Sequence, residues 1–106
     1  MKRKLVYSLD ALADLNEADA YTRQTWGDQQ AKRYVAALVA DIKALRASAM
    51  RYPVHEQVYP GLRRKRSGMH HIYYLARKAC VEVLNVIHVS RDPGTHLKVD
   101  TWRDEE

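Results

Sequence analysis

The chain has 106 residues, of which 46% are hydrophobic and 29% charged, and its formal net charge is +5. This length supports one domain, the composition excludes a disordered chain, and no apolar run approaches the roughly 20 residues of a membrane-spanning helix. Because Cys80 is the only cysteine, an internal disulfide is also excluded. We therefore expect one cytoplasmic domain over residues 1–106, frayed at 98–106, with no membrane partner. Its basic surface would attract nucleic acid or an acidic protein.

The first part of the chain is predicted to form a short strand and a helix. Residues 4–8 favour the strand, and Ser8 stands where the N-cap of a helix over residues 9–25 would lie. The apolar stripe of this helix consists of Leu12, Leu15, Ala18 and Thr22, with Ala11 and Tyr21 beside it.

A second helix is predicted over residues 28–49. Gly27 ends the first helix, and Asp28 is expected to cap the second. Apolar residues recur in it at three- and four-residue spacing: Ala31, Tyr34, Val35, Leu38, Ile42, Leu45 and Ala49. The short break between the two helices predicts an antiparallel helical hairpin.

The second half of the chain is predicted to form strands. Residues 62–66 suit an edge strand, because their charges discourage edge-to-edge pairing, and residues 72–75 form an aromatic strand. Residues 81–90 are apolar on both faces and are expected inside the sheet, after a short connection at 77–79. Strict alternation predicts two faces of this strand, with Val81, Val83, Ile87 and Val89 on one and Leu84 and Val86 on the other.

A turn is predicted at residues 91–94, followed by a short final element at 96–99. The element order is then β-α-α-β-β-β. We predict an α+β fold of two layers, in which the helical hairpin packs on one face of a small, mainly antiparallel sheet.

Histidines and arginines are candidates for metal-independent RNA cleavage, which needs a base, an acid and cations near the phosphate. The proton-transfer candidates are His70, His71, His88 and His96, and the cationic candidates are Arg63, Arg64, Arg66 and Arg91. His88 and Arg91 fall near one strand end, although a sheet histidine and a surface turn arginine would explain them as well. His70 and His71 face opposite sides of a strand and cannot share a substrate.

No metal, cofactor or small-molecule ligand is expected. The histidines and carboxylates follow no metal-ligand spacing, and the sequence has no phosphate-binding glycine loop or nucleophile motif. In a strand, the side chains of Arg63 and Lys65 would face one way and those of Arg64 and Arg66 the other. This basic block is either a solvated edge or a binding surface.

Two sets of aromatic residues accompany these features. Tyr59, Tyr73 and Tyr74 lie close enough to the basic block to allow base stacking or a protein contact. The second set surrounds the helical turn and consists of Tyr21, Trp26 and Tyr34. We interpret the second set as core packing in preference to a partner-binding patch.

A series of short motifs resembles the ParE branch of the ParE/RelE superfamily, the toxins of bacterial type II toxin–antitoxin modules. The matching residues lie within 5–97: Tyr7-Ser8, Ala11, Asp14-Leu15, Trp26-Gly27, Gln30-Ala31, Tyr34, Pro60-Gly61-Leu62-Arg63, His70-His71-Ile72-Tyr73-Tyr74, Val86-Ile87-His88-Val89, Arg91-Asp92 and His96-Leu97. Their order and spacing together carry the resemblance, and the predicted element order is also that of the family.

The resemblance implies a non-enzymatic toxin that inhibits DNA gyrase and is neutralised by a ParD-like antitoxin, which wraps it with its C-terminal segment. Operator DNA would be contacted only through the antitoxin. Target contact is expected at Arg63, Arg64, Lys65, Arg66 and Arg91. Antitoxin contact is expected at Leu12, Leu15, Tyr21, Trp26, Tyr34 and Leu38.

The RelE branch of the superfamily implies an alternative, a ribosome-dependent endoribonuclease that uses basic residues and a tyrosine or histidine near its C-terminus. Here the last tyrosine is Tyr74, inside the predicted sheet, and only Trp102 is aromatic beyond it. Several basic residues keep this alternative open. His88 would transfer the proton, Arg63 and Arg91 would stabilise the phosphate, and His96 is a further histidine near the C-terminus. A third possibility is an inactive relative that acts only in operon repression, through its antitoxin complex.

Overall fold

The computed structural model describes residues 3–91 and 97 of the chain. Its elements are β1 (Lys4–Tyr7), α1 (Leu9–Trp26), α2 (Asp28–Ser48), β2 (Leu62–Ser67), β3 (His70–Ala76) and β4 (Cys80–His88). This order confirms the predicted α+β fold. Of the predicted turn, final element and frayed tail, only Arg91 and Leu97 are among the described residues, and the rest lie outside them. Neither helix in the described part is long and apolar enough to cross a membrane.

The four strands form one sheet in the order β1-β4-β3-β2. β4 pairs with β1 in parallel and with β3 antiparallel, and β2 pairs with β3 antiparallel. The apolar strand β4 therefore lies inside the sheet and the charged strand β2 at its edge, as predicted.

The helix ends follow the capping signals in part. The Ser8 hydroxyl accepts a hydrogen bond from the Ala11 amide at 2.9 Å, which confirms the predicted N-cap of α1. Gly27 ends α1 with a φ of 96°, which favours glycine. The prediction that Asp28 caps α2 is wrong, because Gly27 is the N-cap and Asp28 already lies inside the first turn. The Asp28 carboxylate instead forms an ion pair with Arg23 at 2.9 Å.

The main core lies between the helices and the sheet. α2 buries Leu38, Ile42 and Leu45, as its periodicity predicts, against sheet residues that include Tyr74 and Val83. α1 contributes smaller side chains, and its buried residues are Ala11, Ala18 and Thr22. Leu12 lies on the solvent side of this stripe and is 45% exposed, so its predicted place in the buried stripe is wrong.

A β-bulge changes the facing of β4. Tyr73 pairs with Asn85 and Tyr74 with Val83, which leaves Leu84 without an opposing residue on β3. As a result Val86 joins the helix-side core, whereas Leu84 and Ile87 pack on the opposite face. The strict alternation predicted for this strand therefore holds as far as Leu84 and is wrong for Val86 and Ile87, which lie on the faces opposite to those predicted.

The face of the sheet away from the helices also carries a buried cluster. Its members are Leu62, Tyr73, Leu75, Leu84, Ile87 and Leu97, with Val58 and Tyr59 packed against them. Tyr73 belongs to this cluster and Tyr74 to the helix-side core, and both are almost fully buried. The predicted stacking role for these two tyrosines is therefore wrong, since their rings already form the core.

Candidate functional site

The basic block of β2 is divided between the two faces of the sheet. On the helix side, the Arg63 guanidinium donates to the backbone oxygens of Tyr52 at 2.6 Å and Met50 at 3.3 Å. On the same side, the Lys65 ammonium lies 4.8 Å from the centroid of the Tyr52 ring, within cation–π distance. These contacts tie the segment after α2 to the edge of the sheet.

The side chains of Arg64 and Arg66 leave the other face of the sheet. An open groove of about 510 Å³ runs along the β2 edge of the sheet, where Lys65 lines it together with these two arginines. We call it the cationic groove, and it is lined by Tyr52, Pro53, His55, Arg64, Lys65, Arg66 and His71. The antiparallel register places Arg66 opposite His71 on β3, which brings basic groups of two strands together. No carboxylate is found among the described residues that line it.

Burial and neighbouring cations keep the imidazoles of this groove neutral near pH 7. Burial lowers the pKa of His71, and the charges of Arg64 and Arg66 lower it further. The pKa of His55 is lowered by burial and by Arg64. The positive charge of the groove therefore lies on the two arginines and Lys65. Sequence reasoning missed His55, because residues 52–61 have no periodicity that would place them against β2.

A second cleft, of about 490 Å³, lies between α1 and the C-terminal end of β4, on the helix side of the sheet. We call it the α1–β4 cleft, and its polar lining consists of Asp10, Asp14, Glu17, Tyr21, His70, Asn85, His88, Ser90 and Arg91. His88 and Arg91 meet here, as their positions near one strand end predict. Arg63 is not part of this cleft, so the predicted set of His88, Arg91 and Arg63 is wrong, because Arg63 binds backbone oxygens elsewhere.

His70 joins α2 to the sheet at the rear of the α1–β4 cleft. Its Nδ1 lies 2.6 Å from the Tyr34 hydroxyl, which also accepts a hydrogen bond from the Met69 amide at 2.9 Å. Burial, together with the charges of His88 and Arg91, lowers the pKa of His70 to about 4. The imidazole is therefore neutral, and its Nδ1 can accept the Tyr34 proton. His71 faces the cationic groove, which confirms that His70 and His71 point to opposite sides.

Asp14 holds α1 against the bulge of β4. Its Oδ2 accepts hydrogen bonds from the Asn85 side-chain amide at 3.0 Å and the Val86 backbone amide at 2.8 Å. Burial raises the pKa of Asp14, and these two bonds oppose that shift. The sequence gives no signal for this contact, since the bulge that presents Asn85 and Val86 to the helix breaks the strand pattern.

The outer surface of the helical hairpin carries exposed apolar side chains. Tyr21 is 59% and Trp26 is 71% exposed, so their predicted core packing is wrong. Tyr34 is half-buried and Leu15 packs against the core. Leu38 is 1% exposed, so its predicted contact with an antitoxin is wrong, because its side chain lies inside the domain. We define the hairpin surface as the exposed apolar residues of α1, namely Leu9, Leu12, Tyr21 and Trp26. Tyr21 lies on the flank of the helix that also lines the α1–β4 cleft.

Two solved structures with the same architecture come from toxin–antitoxin systems. A chain of the chromosomal ParDE system from P. aeruginosa aligns with a TM-score of 0.73 and 18% identity, over 82% of this chain and 96% of that chain. A chain of the RelBE2 toxin–antitoxin complex from Mycobacterium tuberculosis aligns with a TM-score of 0.65 and 18% identity, over 83% and 99%. At this identity the likeness shows the fold alone, which is one found in ParDE and RelBE systems.

Sequence comparison gives the family within this class. The model described as "ParE toxin of type II toxin-antitoxin system, parDE" matches residues 5–93. Toxin ParE of Escherichia coli is 31% identical over 93 residues, 87% of this chain and 90% of that protein. Toxin ParE1 of Caulobacter vibrioides is 33% identical over 87 residues, 82% and 90%. The chain belongs to the ParE family of type II toxin–antitoxin toxins, which confirms the resemblance seen in the sequence.

Proposed function

We propose that this toxin acts by inhibiting DNA gyrase, is not itself an enzyme, and is neutralised by a ParD-like antitoxin. Family membership supports the type of target, and the cationic groove is the observation that carries the proposal. A groove with three cations and no described carboxylate suits a target that is a complex with DNA. We place target contact at Arg64, Lys65 and Arg66. Arg63 holds this strand against the segment after α2, through its hydrogen bonds to the backbone oxygens of Met50 and Tyr52.

The hairpin surface is proposed to receive the antitoxin. Exposed aromatic side chains such as Tyr21 and Trp26 are typical anchors of a protein interface. β1 is an edge strand, and a segment of the antitoxin could extend the sheet there by backbone hydrogen bonding. The proposed antitoxin and target surfaces thus lie on different parts of the molecule, one on the first helix and β1 and one along the β2 edge of the sheet.

Gyrase-catalysed supercoiling of relaxed plasmid DNA tests the proposed target. Addition of the purified toxin should abolish supercoiling, and the addition of its antitoxin should restore it. Cellular RNA, analysed in parallel after expression of the toxin, should remain intact. Undisturbed supercoiling at a toxin concentration well above that of gyrase would contradict the proposal.

One observation favours ribosome-dependent RNA cleavage as a second candidate. The ring centroids of His70 and His88 lie 5.4 Å apart in the α1–β4 cleft, which Arg91 also lines, so two imidazoles and a cation are within reach of one substrate. A His88→Ala variant separates the candidates. We expect it to remain toxic to cells with an unchanged melting temperature. Loss of toxicity in a folded variant, together with RNA cleavage by the unchanged toxin, would favour the ribonuclease.

A further inference from the structure

The cationic groove differs from an ordinary charged surface in the regular placement of its cations. Arg64 and Arg66 are two residues apart on β2, so their side chains leave the same face of the sheet about 6.8 Å apart along the strand. His71 lies opposite Arg66 on the neighbouring strand. The guanidinium of Arg66 is held in place by a hydrogen bond from its Nε to the Gly68 oxygen at 2.9 Å. Two guanidinium groups therefore line one groove, and that of Arg66 is held in place.

The chemistry of the lining favours phosphate over a peptide carboxylate. Guanidinium groups bind phosphate and carboxylate oxygens alike with two parallel hydrogen bonds, so the rest of the lining decides between them. The imidazoles of His55 and His71 are neutral hydrogen-bonding groups at the same surface. An acidic peptide would also need apolar pockets for its anchor residues, but the described lining offers only Tyr52 and Pro53 as largely apolar surfaces.

We propose that the cationic groove binds the phosphodiester backbone of DNA directly, through Arg64, Lys65 and Arg66. The toxin would then contact the DNA segment that gyrase holds, in addition to any contact with the enzyme. This step rests on the proposed gyrase target, but binding of DNA by the groove is measurable without gyrase. Because the contacts are to phosphates, the binding carries no sequence preference.

Fluorescence anisotropy with a labelled duplex DNA, titrated with the toxin at several salt concentrations, tests the proposal. Three phosphate contacts predict a slope of log K against log salt of about −2.7. The double variant Arg64→Gln/Arg66→Gln should reduce the slope to about −0.9 and weaken binding at 50 mM salt on the order of a hundredfold. A single-stranded DNA of the same length should give a wild-type slope of about −2.1, which distinguishes the two forms.

Two further variants serve as controls. Lys32→Gln/Arg33→Gln removes the same charge from the exposed surface of α2 and should leave the slope unchanged. Arg64→Lys/Arg66→Lys keeps the charge and should retain the slope even if affinity falls. Melting temperatures close to that of the unchanged toxin should confirm that the variants are folded and can be compared.

The salt dependence of DNA binding, together with peptide binding and gyrase inhibition, decides between the outcomes. Equal slopes for the groove variant and the α2 control would overturn the proposal, as would wild-type binding to a polyglutamate peptide with none to DNA. Gyrase inhibition by a toxin that does not bind DNA would overturn this inference and leave the proposed function intact. Groove-dependent DNA binding with undisturbed supercoiling would support the inference and contradict the gyrase target.

Discussion

At the scale of single residues, His70 is the group most altered by its surroundings. Its imidazole is buried between α2 and β4, and its pKa is lowered to about 4. A neutral ring with its proton on Nε2 suits this position, because Nδ1 can then accept the proton of the Tyr34 hydroxyl while the Tyr34 oxygen accepts from the Met69 amide. Protonation of His70 would place two donors against each other in a partly buried contact.

This arrangement predicts a pH dependence of stability. Since the pKa of His70 is lower in the folded state than the 6.5 of an unfolded chain, the unfolded state binds the proton first as the pH falls. The free energy of unfolding should therefore decrease between pH 6.5 and about 4, by up to about 3 kcal/mol from this residue. Urea unfolding at a series of pH values measures the change.

A His70→Asn variant isolates this contribution. Asparagine retains a polar group near the position of Nδ1 but does not titrate, so the decrease should become shallower by the share that His70 supplies. His55 and His71, with lowered pKa values, shift stability in the same direction in both proteins, and Asp14, with a raised pKa, shifts it in the other. Identical pH profiles for the two proteins would contradict a neutral, buried His70.

The residues that the sequence did not identify are those whose partners are distant in the chain. Alternation along β3 predicts that His70 and His71 face opposite sides, but it does not show that Tyr34, 36 residues earlier, meets His70. Similarly, Asp14 meets the bulge of β4 across 71 residues. Local patterns determine the face of a side chain, whereas the partner depends on how the helices are placed over the sheet.

At the scale of elements, the turn between β2 and β3 depends on Gly68. Its φ of +58° favours glycine, and a Cβ at this position would lie 2.8 Å from Cε1 of Tyr34. A Gly68→Ala substitution should therefore combine backbone strain with displacement of the Tyr34 ring from its bonds to His70 and Met69. We expect the free energy of unfolding to fall by about 2 kcal/mol or more.

Gly61→Ala is the matched control for this prediction. Gly61 also has a positive φ, of +78°, but nothing lies within 4 Å of the added Cβ. The free energy of unfolding of the Gly61→Ala variant should fall by about 1 kcal/mol, because only backbone strain is added. Chemical denaturation of both variants gives the comparison, and equal losses would show that the contact with Tyr34 does not limit this turn.

The elements themselves follow from the sequence because their signals are local. The spacing of apolar residues predicts α2, and the Ser8 cap and Gly27 bound α1. The bulge in β4 could not be predicted, since Leu84 and Asn85 continue the strand pattern and only pairing with β3 reveals the extra residue. Asn85 lies at the bulge, but Glu82 and His88 are also polar residues of this strand, so polarity does not mark the position.

At the scale of the whole molecule, the β2 edge of the sheet and the helical hairpin differ in chemistry. The cationic groove runs along the β2 edge, and the exposed aromatic residues Tyr21 and Trp26 lie on the first helix of the hairpin. The net charge of the chain predicts a basic surface, but its concentration in one groove depends on the segment 52–55, which packs beside β2 and joins residues of both strand faces. Charge at the sheet edge and apolar surface on the hairpin would allow the toxin to engage its target and its antitoxin through separate surfaces.

Two double variants test this separation most directly, with gyrase inhibition and antitoxin affinity measured for each. Arg64→Gln/Arg66→Gln should lose most of its inhibition of supercoiling and bind the antitoxin as the unchanged toxin does. Tyr21→Ala/Trp26→Ala should inhibit gyrase fully, and its affinity for the antitoxin should fall by about tenfold or more. Inhibition that survives the loss of both groove arginines, or folded variants that each lose both properties, would contradict the assignment of target and antitoxin to separate faces.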